Sequence, residues 1–454
     1  MTTPPSSSSK SSATSNTSAG GAASGAGNTT PSAKSGGAGA SDSNPRASAE
    51  SSAETPRVPA GTHHAVLAGF FGWTLDAFDF FIVVFLFDTL AHQFGVTKKE
   101  IVLTTTATLA MRPVGAVLFG LLADRYGRRI PLIINVIYFS LIELLCGFAP
   151  NFTVFFILRA LFGIGMGGEW GVGASLAMEA APRKWRGILS GILQSGYSIG
   201  YLLAAMATRF LLPHWGWRAM FWIGALPALL ALYIRAKVPE SQAWKEHKAA
   251  STGEVLRVVG KNWKRFAYLV VLMTFMMFLS HGTQDLYPDF LQEVHGVASA
   301  VRANIAIIYN IGAVCGAVIF GFLSQRAGRR RAMMMSLVVS LAAIPLWAFS
   351  HTLFLLTVGA FVMQIGVQGA WGVIPVHLNE LAADSARGLM PGLAYQLGIL
   401  FASPTNSVQY ALRSRVGYEW AIAGFEMVTI CALGLLLWFG AEEHGKVFVT
   451  GERS

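Results

Sequence analysis

The sequence predicts an all-α polytopic membrane protein, with twelve transmembrane helices in two six-helix pseudo-repeat bundles. The first observation is composition, since 53% of the 454 residues are hydrophobic and only 13% are charged. The second is that apolar segments of about 20 residues, the length that crosses a hydrocarbon core, recur from Ala65 to Gly440. The third is an internal repeat that relates the two halves. The spans are expected to be helical because lipid offers no hydrogen-bond partner to the backbone.

The chain is predicted to divide into five segments. Residues 1–60 contain no Leu, Ile, Phe, Tyr or Trp, so they cannot bury enough apolar surface to offset chain entropy, and a disordered cytoplasmic tail is expected. Six-helix bundles follow at 61–235 and 266–440, with a cytoplasmic central linker at 236–265 and a cytoplasmic tail at 441–454. The predicted spans are 65–88, 100–123, 130–149, 152–180, 188–211, 217–235, 266–290, 301–324, 332–350, 353–382, 388–410 and 418–440.

Basic residues set the predicted orientation, because Lys and Arg are retained in cytoplasmic loops. They are concentrated in alternate loops, which places those loops and both termini on the cytoplasmic side of a cell (inner) membrane. The formal net charge of +10 is therefore interpreted as a topology signal, and no nucleic-acid partner is predicted. The basic loop residues are Arg125, Arg128, Arg129, Arg183, Lys184, Arg186, Arg326, Arg329, Arg330 and Arg331.

The two halves are related by a repeat with an offset of 201 positions, since the glycine-led loop at 120–129 matches the loop at 321–330 (321 minus 120). At the same offset Glu179 matches Glu380, and Trp170 matches Trp371. Two six-span halves in parallel repetition are typical of a large class of secondary transporters, whose substrate site lies near the midplane between the halves.

Two motifs resemble those of the major facilitator superfamily. Residues 120–129 read Gly-x-x-x-Asp-Arg-x-Gly-Arg-Arg, as in the loop between the second and third spans of that family, and 321–330 is a degenerate copy. Arg159, Gly163 and Gly165 are similar to a second motif in the fourth span. The resemblance covers about residues 65–440 and implies the major facilitator fold, alternating access by rocking of two bundles, and an inner charge network. That cytoplasmic gate is expected to contain Asp124, Arg125, Arg129, Glu179 and Arg186.

A polar stretch interrupts the seventh apolar span at residues 280–285, so either the helix ends at Ser280 or the stretch is functional. It reads Ser-His-Gly-Thr-Gln-Asp and resembles the seventh-span signature of lactate/pyruvate permeases in the sialate:proton symporter family. It departs from that signature at Met277 and Asp289. The resemblance implies a monocarboxylate:proton symporter, with substrate bound by Ser280, His281 and Gln284 and the proton handled by Asp285.

Charged residues inside the spans are functional candidates, because they are expensive there and usually face a protein interior or a watery cavity. Arg112 is predicted to anchor a substrate carboxylate through its bidentate fork; the alternative is a structural ion pair with Asp76 or Asp79. Those two aspartates share a helix face, and one is expected to pair with Arg112 while the other titrates. Glu143 and Arg159 are predicted at similar height, as a structural or proton-relay pair.

The function predicted from these observations is import of a small organic anion with a proton as the coupling ion, and no cofactor is predicted. Cys146, Cys315 and Cys431 lack metal-site or disulfide spacing, so no metal is predicted. The partners are the anion, the proton and the lipid bilayer, and a functional monomer is expected. Two alternatives stay open, a symporter for sialic acid or another larger organic acid, and a transporter-like nutrient sensor. No nucleophile–base set supports an enzyme.

Overall fold

A computed structural model describes residues 61–449. The predicted tail at 1–60 lies outside the described residues, as do residues 450–454. The described part contains eighteen α-helices and one short 3-10 helix at Asp384–Ala386. The α-helices are α1 Thr62–Phe85, α2 Phe87–Phe94, α3 Lys98–Tyr126, α4 Arg129–Cys146, α5 Phe152–Ala180, α6 Arg186–Phe210, α7 Leu212–Ile223, α8 Pro227–Lys237, α9 Gln242–Glu246, α10 Thr252–Lys261, α11 Trp263–Gln284, α12 Tyr287–Glu293, α13 Ser299–Ala327, α14 Arg329–Ala348, α15 Leu353–Leu381, α16 Met390–Ala402, α17 Thr405–Val416 and α18 Tyr418–Phe439.

The predicted all-α class is confirmed, but the number of continuous spans differs from the predicted twelve. Eleven helical segments within residues 61–449 are long and apolar enough to cross a membrane, judged by length and composition. The exception is the predicted span 388–410, which is divided into α16 and α17. Pro404 lies at the division, and a proline there removes a backbone donor and disfavours helix in the preceding residue.

Several other predicted spans are broken near one end. The first ends at Phe85, and α2 continues after Leu86. The sixth consists of α7 and α8, separated around Gly224. The seventh consists of α11 and α12, separated at Asp285 and Leu286. Helical spans tolerate such breaks where neighbouring protein satisfies the freed backbone groups.

Each half packs with the same pattern. In the first bundle α3 and α4 pack on α5 and α1 packs on α6, while in the second bundle α13 and α14 pack on α15 and α11 packs on α16. The backbones of α3 and α5 touch, since a Cβ placed on Gly167 would lie 1.9 Å from the Arg112 carbonyl oxygen. Only glycine fits there, so the small-residue run of α5 sets the depth at which α3 packs.

The bundles meet along α6, which packs on α13 and α15, and along α16, which packs on α3 and α5. We call the end of the molecule formed by residues 125–129, 183–186 and 326–331 the basic face. The linker helices α9 and α10 lie at this face and contact both bundles, since α9 packs on α5 while α10 packs on α3 and α11.

Candidate functional site

Arg112 lies in the middle of α3 and is only 4% exposed. Its Nε and Nη2 atoms have no hydrogen-bond partner in the described part of the chain. The expected ion pair with Asp76 or Asp79 is not formed, because among residues 61–449 no carboxylate oxygen lies within 4.0 Å of the guanidinium. Its guanidinium carbon lies 5.8 Å from the ring centroid of Tyr395, a residue of α16.

Four carboxyl groups surround this region of the first bundle, and each is fully buried. Glu143 accepts a 2.5 Å hydrogen bond from Arg159 Nη1, so the predicted ion pair is present, and its role stays a prediction. Asp79 lies beside Glu143, since both approach Gly224 at the break of the sixth span. We define the first-bundle cluster as Asp76, Asp79, Arg112, Glu143, Arg159 and Glu169.

Glu169 was not among the residues predicted for the site. It follows the glycines of α5, and its Oε1 lies so close to α1 that a Cβ on Gly72 would be 2.1 Å from it. It interacts electrostatically with Asp76 and Arg112. The available sequence signal was its position as an acid inside an apolar span, but helical spacing alone did not show which neighbour it faces.

The polar stretch of the seventh span does not end the helix at Ser280, because α11 continues to Gln284. One turn of helix places His281 Nδ1 3.1 Å from Asp285 Oδ2. These side chains are 38% and 35% exposed, in contrast to Arg112. Asn406 of α17 donates a 3.0 Å hydrogen bond to the same Asp285 oxygen.

The remaining polar residues of the stretch bind the neighbouring helices of the second bundle. Gln284 Nε2 donates to Ser280 Oγ at 3.2 Å and to Gln364 Oε1 of α15 at 3.1 Å. Gln409 Nε2 of α17 donates to the Gly282 carbonyl oxygen at 2.9 Å. Gln284 therefore holds the stretch to α15, and the His281–Asp285 pair stays on the accessible side.

The two predicted halves of the site face each other across the bundle interface. The Tyr197 hydroxyl of α6 interacts electrostatically with both Arg112 and Asp285, and His281 interacts with Arg112. The structure thus brings together the predicted anion anchor and the predicted proton-handling stretch, which are far apart in sequence.

An aromatic layer lies next to Arg112, and sequence analysis did not assign it to the site. Tyr395 of α16 stacks on Trp170 of α5 with ring centroids 4.4 Å apart. Trp73 and Trp371 approach the same ring to 6.0 and 5.7 Å. Aromatic residues at helical spacing usually pack within a bundle, whereas this tyrosine inserts from one bundle between side chains of the other.

A buried ion network closes the basic face, with a membership that differs from the predicted one. Asp124 binds Arg128 Nη1 at 2.6 Å, and Arg128 Nη2 binds Glu179 at 2.9 Å. The second arginine of the network is Arg387 of the second half, whose Nη1 lies 3.8 Å from Glu179. These side chains are fully shielded from solvent.

Three predicted gate residues have other contacts. Arg125 donates to the Ala249 carbonyl, and Arg129 to that of Arg235. Arg186 was expected beside Glu179 but donates to the Met178 and Ala181 carbonyls, and its guanidinium lies over Phe448. The reason is geometric, since Arg128 occupies the turn between α3 and α4 and therefore points into the interface. Arg125 and Arg129 of the same motif reach the linker and α8 instead.

Asp124 also joins the two bundles directly. Its carboxylate accepts hydrogen bonds from the backbone N–H groups of Gly388 at 2.7 Å and Leu389 at 3.0 Å. The pseudo-symmetric contact uses Gln325, whose Oε1 accepts from the Gly187 N–H at 3.1 Å. Each bundle thus holds a loop of the other, at positions related by the repeat.

The C-terminal segment 441–449 lies across this closure. Gly445 donates its N–H to Glu380 at 3.1 Å, and Phe448 is only 1% exposed. The Phe448 ring lies 3.9 Å from the guanidinium carbon of Arg186 and 4.0 Å from that of Arg387. One arginine comes from each half, so the segment contacts both bundles.

Glu426 is a further buried acid, in α18 of the second bundle. It is 0% exposed, and its oxygens have no hydrogen-bond partner within residues 61–449. A Cβ on Gly282 would lie 1.9 Å from its Oε1, so it packs behind the polar stretch.

As for metals, the described residues contain no group of three or more His, Cys, Asp or Glu arranged to hold an ion.

The chain matches two family models, one described as Major Facilitator Superfamily over residues 69–313 and one as Sugar (and other) transporter over 266–442. It is 32% identical over 388 residues to a carboxylic acid transporter protein homolog of Saccharomyces cerevisiae, covering 78% of this chain and 62% of that one. It is 29% identical to a sialic acid transporter of Escherichia coli, covering 85% of this chain and 95% of that one. A probable 4-methylmuconolactone transporter of Cupriavidus pinatubonensis is 28% identical, with coverages of 81% and 88%.

Solved structures share the fold. A proton:xylose symporter superposes with a TM-score of 0.69 at 17% identity, covering 86% of this chain and 98% of that one. A human organic anion transporter gives 0.66 at 16% identity, with coverages of 83% and 99%. The predicted arrangement of two pseudo-repeat bundles is confirmed by these superpositions. A special closeness to lactate or pyruvate permeases stays a prediction.

Proposed function

The chain belongs to the major facilitator superfamily, a family of transporters rather than enzymes, and we propose that it imports a small monocarboxylate such as lactate or pyruvate together with a proton. The basic face is the cytoplasmic side of the cell membrane in this proposal, with both termini there. Import proceeds by alternating access, with substrate held between the two bundles.

The observation that carries the proposal is the unpaired cation at Arg112. A guanidinium keeps its charge in a buried site, and leaving such a charge without a partner is strongly unfavourable. Its Nε and Nη2 atoms and the indole N–H groups of Trp73 and Trp371 are buried donors that no acceptor engages within the described residues. A carboxylate supplies the acceptors that this set lacks.

The opposite side of the site supplies accessible polar groups. His281 and Asp285 are the exposed members of the seventh-span stretch, and both are in electrostatic reach of first-bundle groups. In the proposed mechanism a proton enters through this pair or through Asp76 and Asp79, and the anion docks on Arg112.

The closed basic face corresponds to the loading conformation of the proposed cycle, in which His281 and Asp285 are accessible. Asp124 holds the face to the second bundle through the N–H groups of Gly388 and Leu389. Glu179 approaches Arg387 of the second bundle. After loading, rocking of the bundles breaks the network, separates Tyr395 from Trp170, and releases anion and proton to the cytoplasm. One anion with one proton moves no net charge, so uptake responds to the pH gradient alone.

A second candidate is a sialic acid or another larger organic acid. The similarity to the Escherichia coli sialic acid transporter extends over 95% of that protein, which favours this alternative. The muconolactone relative supports an organic acid of intermediate size.

The deciding experiment measures uptake of labelled lactate into proteoliposomes, with and without an inward proton gradient. Competition by pyruvate, acetate, sialic acid and cis,cis-muconate then ranks the substrates. Substrate turnover in sealed vesicles separates a transporter from a nutrient sensor. Absence of acceleration by the gradient, for every acid that is taken up, contradicts proton symport.

The role of Arg112 is tested by Arg112→Leu. Loss of two charge-assisted hydrogen bonds, each contributing about 1.5–3 kcal/mol, predicts that binding of the best substrate weakens by at least about two orders of magnitude. The matched control is Arg209→Leu, an exposed arginine of α6, which is expected to bind normally. Unchanged binding by the Arg112 variant refutes its role as anchor.

A further inference from the structure

We propose that Glu169 is a proton-binding residue of the transport cycle, and that its proton leaves with the anion held at Arg112. This inference rests on the proposed function, because it requires an anion at Arg112. It assigns the coupling proton to a residue other than Asp76, Asp79 or Asp285.

Glu169 is enclosed by the helices of the first bundle. It is 0% exposed, and both carboxyl oxygens are without a hydrogen-bond partner among residues 61–449. Its Oε1 abuts the bare Cα of Gly72 in α1, and it also approaches Gly173 of its own helix, where a Cβ would lie 3.1 Å away. Without such partners an ionised Glu169 depends on the nearby charge of Arg112, and it is strongly disfavoured once an anion neutralises that charge.

The first-bundle cluster contains more acidic groups than basic ones. Its four carboxyl groups and two guanidinium groups are all at least nine-tenths buried. If every group were ionised, four negative and two positive charges would leave an excess of two negative charges in the membrane interior. Because a buried uncompensated charge is expensive, the empty cluster is expected to hold two protons.

A bound monocarboxylate adds one negative charge to this count. Five negative groups against two guanidinium groups then require three protons instead of two. Anion binding at Arg112 therefore draws one proton into the cluster. The exchange balances if Asp76 and Asp79 hold the two protons in both states and Glu143 stays paired with Arg159. The loaded cluster then contains the anion, Arg112 and protonated Glu169, while the emptied one contains Arg112 and ionised Glu169, with anion and proton released to water.

The group that exchanges the proton must be one that responds to the charge of Arg112. Asp76 and Glu169 are the carboxyl groups that interact with Arg112, whereas Asp79 interacts with Glu143, Asp76 and Arg159. Of the four carboxyl groups, Glu169 is the one on α5, which packs on α16 of the second bundle. Its neighbour Trp170 stacks on Tyr395.

The closure is tight at this level, since a Cβ on Gly171 would lie 2.7 Å from the Gly392 Cα. Rocking that separates α5 from α16 therefore opens a path from the basic face to the level of Glu169. Among the groups on the elements packed around it, Asp76 of α1 and Arg112 of α3 interact electrostatically with Glu169. Further titratable or charged groups in the cluster and at the bundle interface are Asp79 of α1, Glu143 of α4, Arg159 of α5, Tyr197 of α6 and Tyr395 of α16.

The experiment measures proton uptake by the purified full-length protein in weakly buffered detergent, using a pH-indicator dye, when the panel acid that is transported best is added. Wild type is expected to take up about one proton per bound anion. In Glu169→Gln, Asp76 and Asp79 keep their protons and the anion itself neutralises Arg112, so the variant is expected to bind the anion with no proton uptake. In proteoliposomes the variant should retain anion exchange but lose accumulation, which for one coupled proton reaches about tenfold per pH unit.

Two variants serve as controls. Glu426→Gln neutralises an equally buried acid outside the cluster and should keep wild-type proton uptake. Glu169→Asp keeps an ionisable carboxyl group, so it should take up a proton when it binds the anion. It serves as the test variant if Glu169→Gln fails to fold.

The outcomes are distinct. Wild-type proton uptake by Glu169→Gln overturns the role of Glu169 and leaves the proposed symport intact, whereas absence of proton uptake in wild type overturns the symport itself. A folded Glu169→Gln that no longer binds the anion also overturns the inference, because Glu169 then only supports Arg112. A folded Glu169→Asp that binds the anion without proton uptake overturns it as well, because a carboxyl group is then present and exchanges no proton.

Discussion

Replacing Asp124 by asparagine should open the basic face. The carboxylate is fully buried and accepts three hydrogen bonds, one from Arg128 at 2.6 Å and two from the backbone of the second bundle. Asparagine has the same shape, but one oxygen becomes an NH2 donor. That donor would face the N–H of Leu389 or of Gly388, so one inter-bundle hydrogen bond is lost and the other becomes a neutral one.

The magnitude follows from those two bonds. A hydrogen bond to a charged group contributes about 1.5–3 kcal/mol and a neutral one about 0.5–1.5 kcal/mol. Losing one charged bond and weakening the other removes about 3 kcal/mol from the closed conformation. The ratio of closed to open molecules should fall by about two orders of magnitude. The intra-bundle contact with Arg128 does not enter this difference, because it is present in both conformations.

The assay is a distance measurement between spin labels at Lys184 and Arg331. These residues are exposed on the basic face and lie in opposite halves, so their separation reports opening. The labels are attached to cysteines in a background without Cys146, Cys315 and Cys431. The expected result is a longer-distance population in the variant that is minor in the parent.

The control is Asp88→Asn, which removes an ion pair with Lys98 whose side chains are 81% and 58% exposed. Exposed pairs contribute about 0–1 kcal/mol, so the distance distribution should not change. If Asp124→Asn also leaves the distribution unchanged, the Asp124 hydrogen bonds do not stabilise closure and the reasoning is refuted.

Three further outcomes are expected. Phe448→Ala removes a buried ring between two guanidinium groups and should shift the same distance distribution toward the open form. An unchanged distribution would show that the C-terminal segment 441–449 does not stabilise the closed form. Glu143→Leu leaves Arg159 buried without its partner, so stability should drop by about 3–5 kcal/mol, seen as a lower unfolding temperature in detergent than for wild type. Gly282→Ala places a methyl group against Glu426 and should destabilise by about 1–3 kcal/mol, with partial recovery in the double variant with Glu426→Ala; no recovery would contradict the packing assignment.

The candidate site was predictable where a single residue breaks a local rule. Arg112, Asp76, Asp79 and Glu143 are charges in apolar spans, and such charges stand out because the membrane interior excludes them. The polar stretch around His281 stands out for the same reason. Helix rise also placed Glu143 and Arg159 at one height, and their ion pair is formed.

The partners of these residues were not predictable in the same way. Glu179 was expected beside Arg186, but it binds Arg128 and approaches Arg387 of the other half. A motif gives the order of residues along one loop, whereas the pairing depends on which side chain the turn directs into the interface. Tyr395 is a similar case, because its neighbours come from four other helices.

The sequence by itself determined the helical class, the internal repeat and the residues whose charge requires a protein environment. These depend on features that can be read along the chain, namely the length of the apolar runs, the cost of placing a charge in the membrane interior and the spacing of the repeat. Tertiary structure decided that Arg112 carries no ion pair, that Glu169 joins its cluster, and that Asp124 holds the second bundle through backbone N–H groups. Those contacts join residues up to 265 positions apart, and their geometry exists only once the two bundles pack.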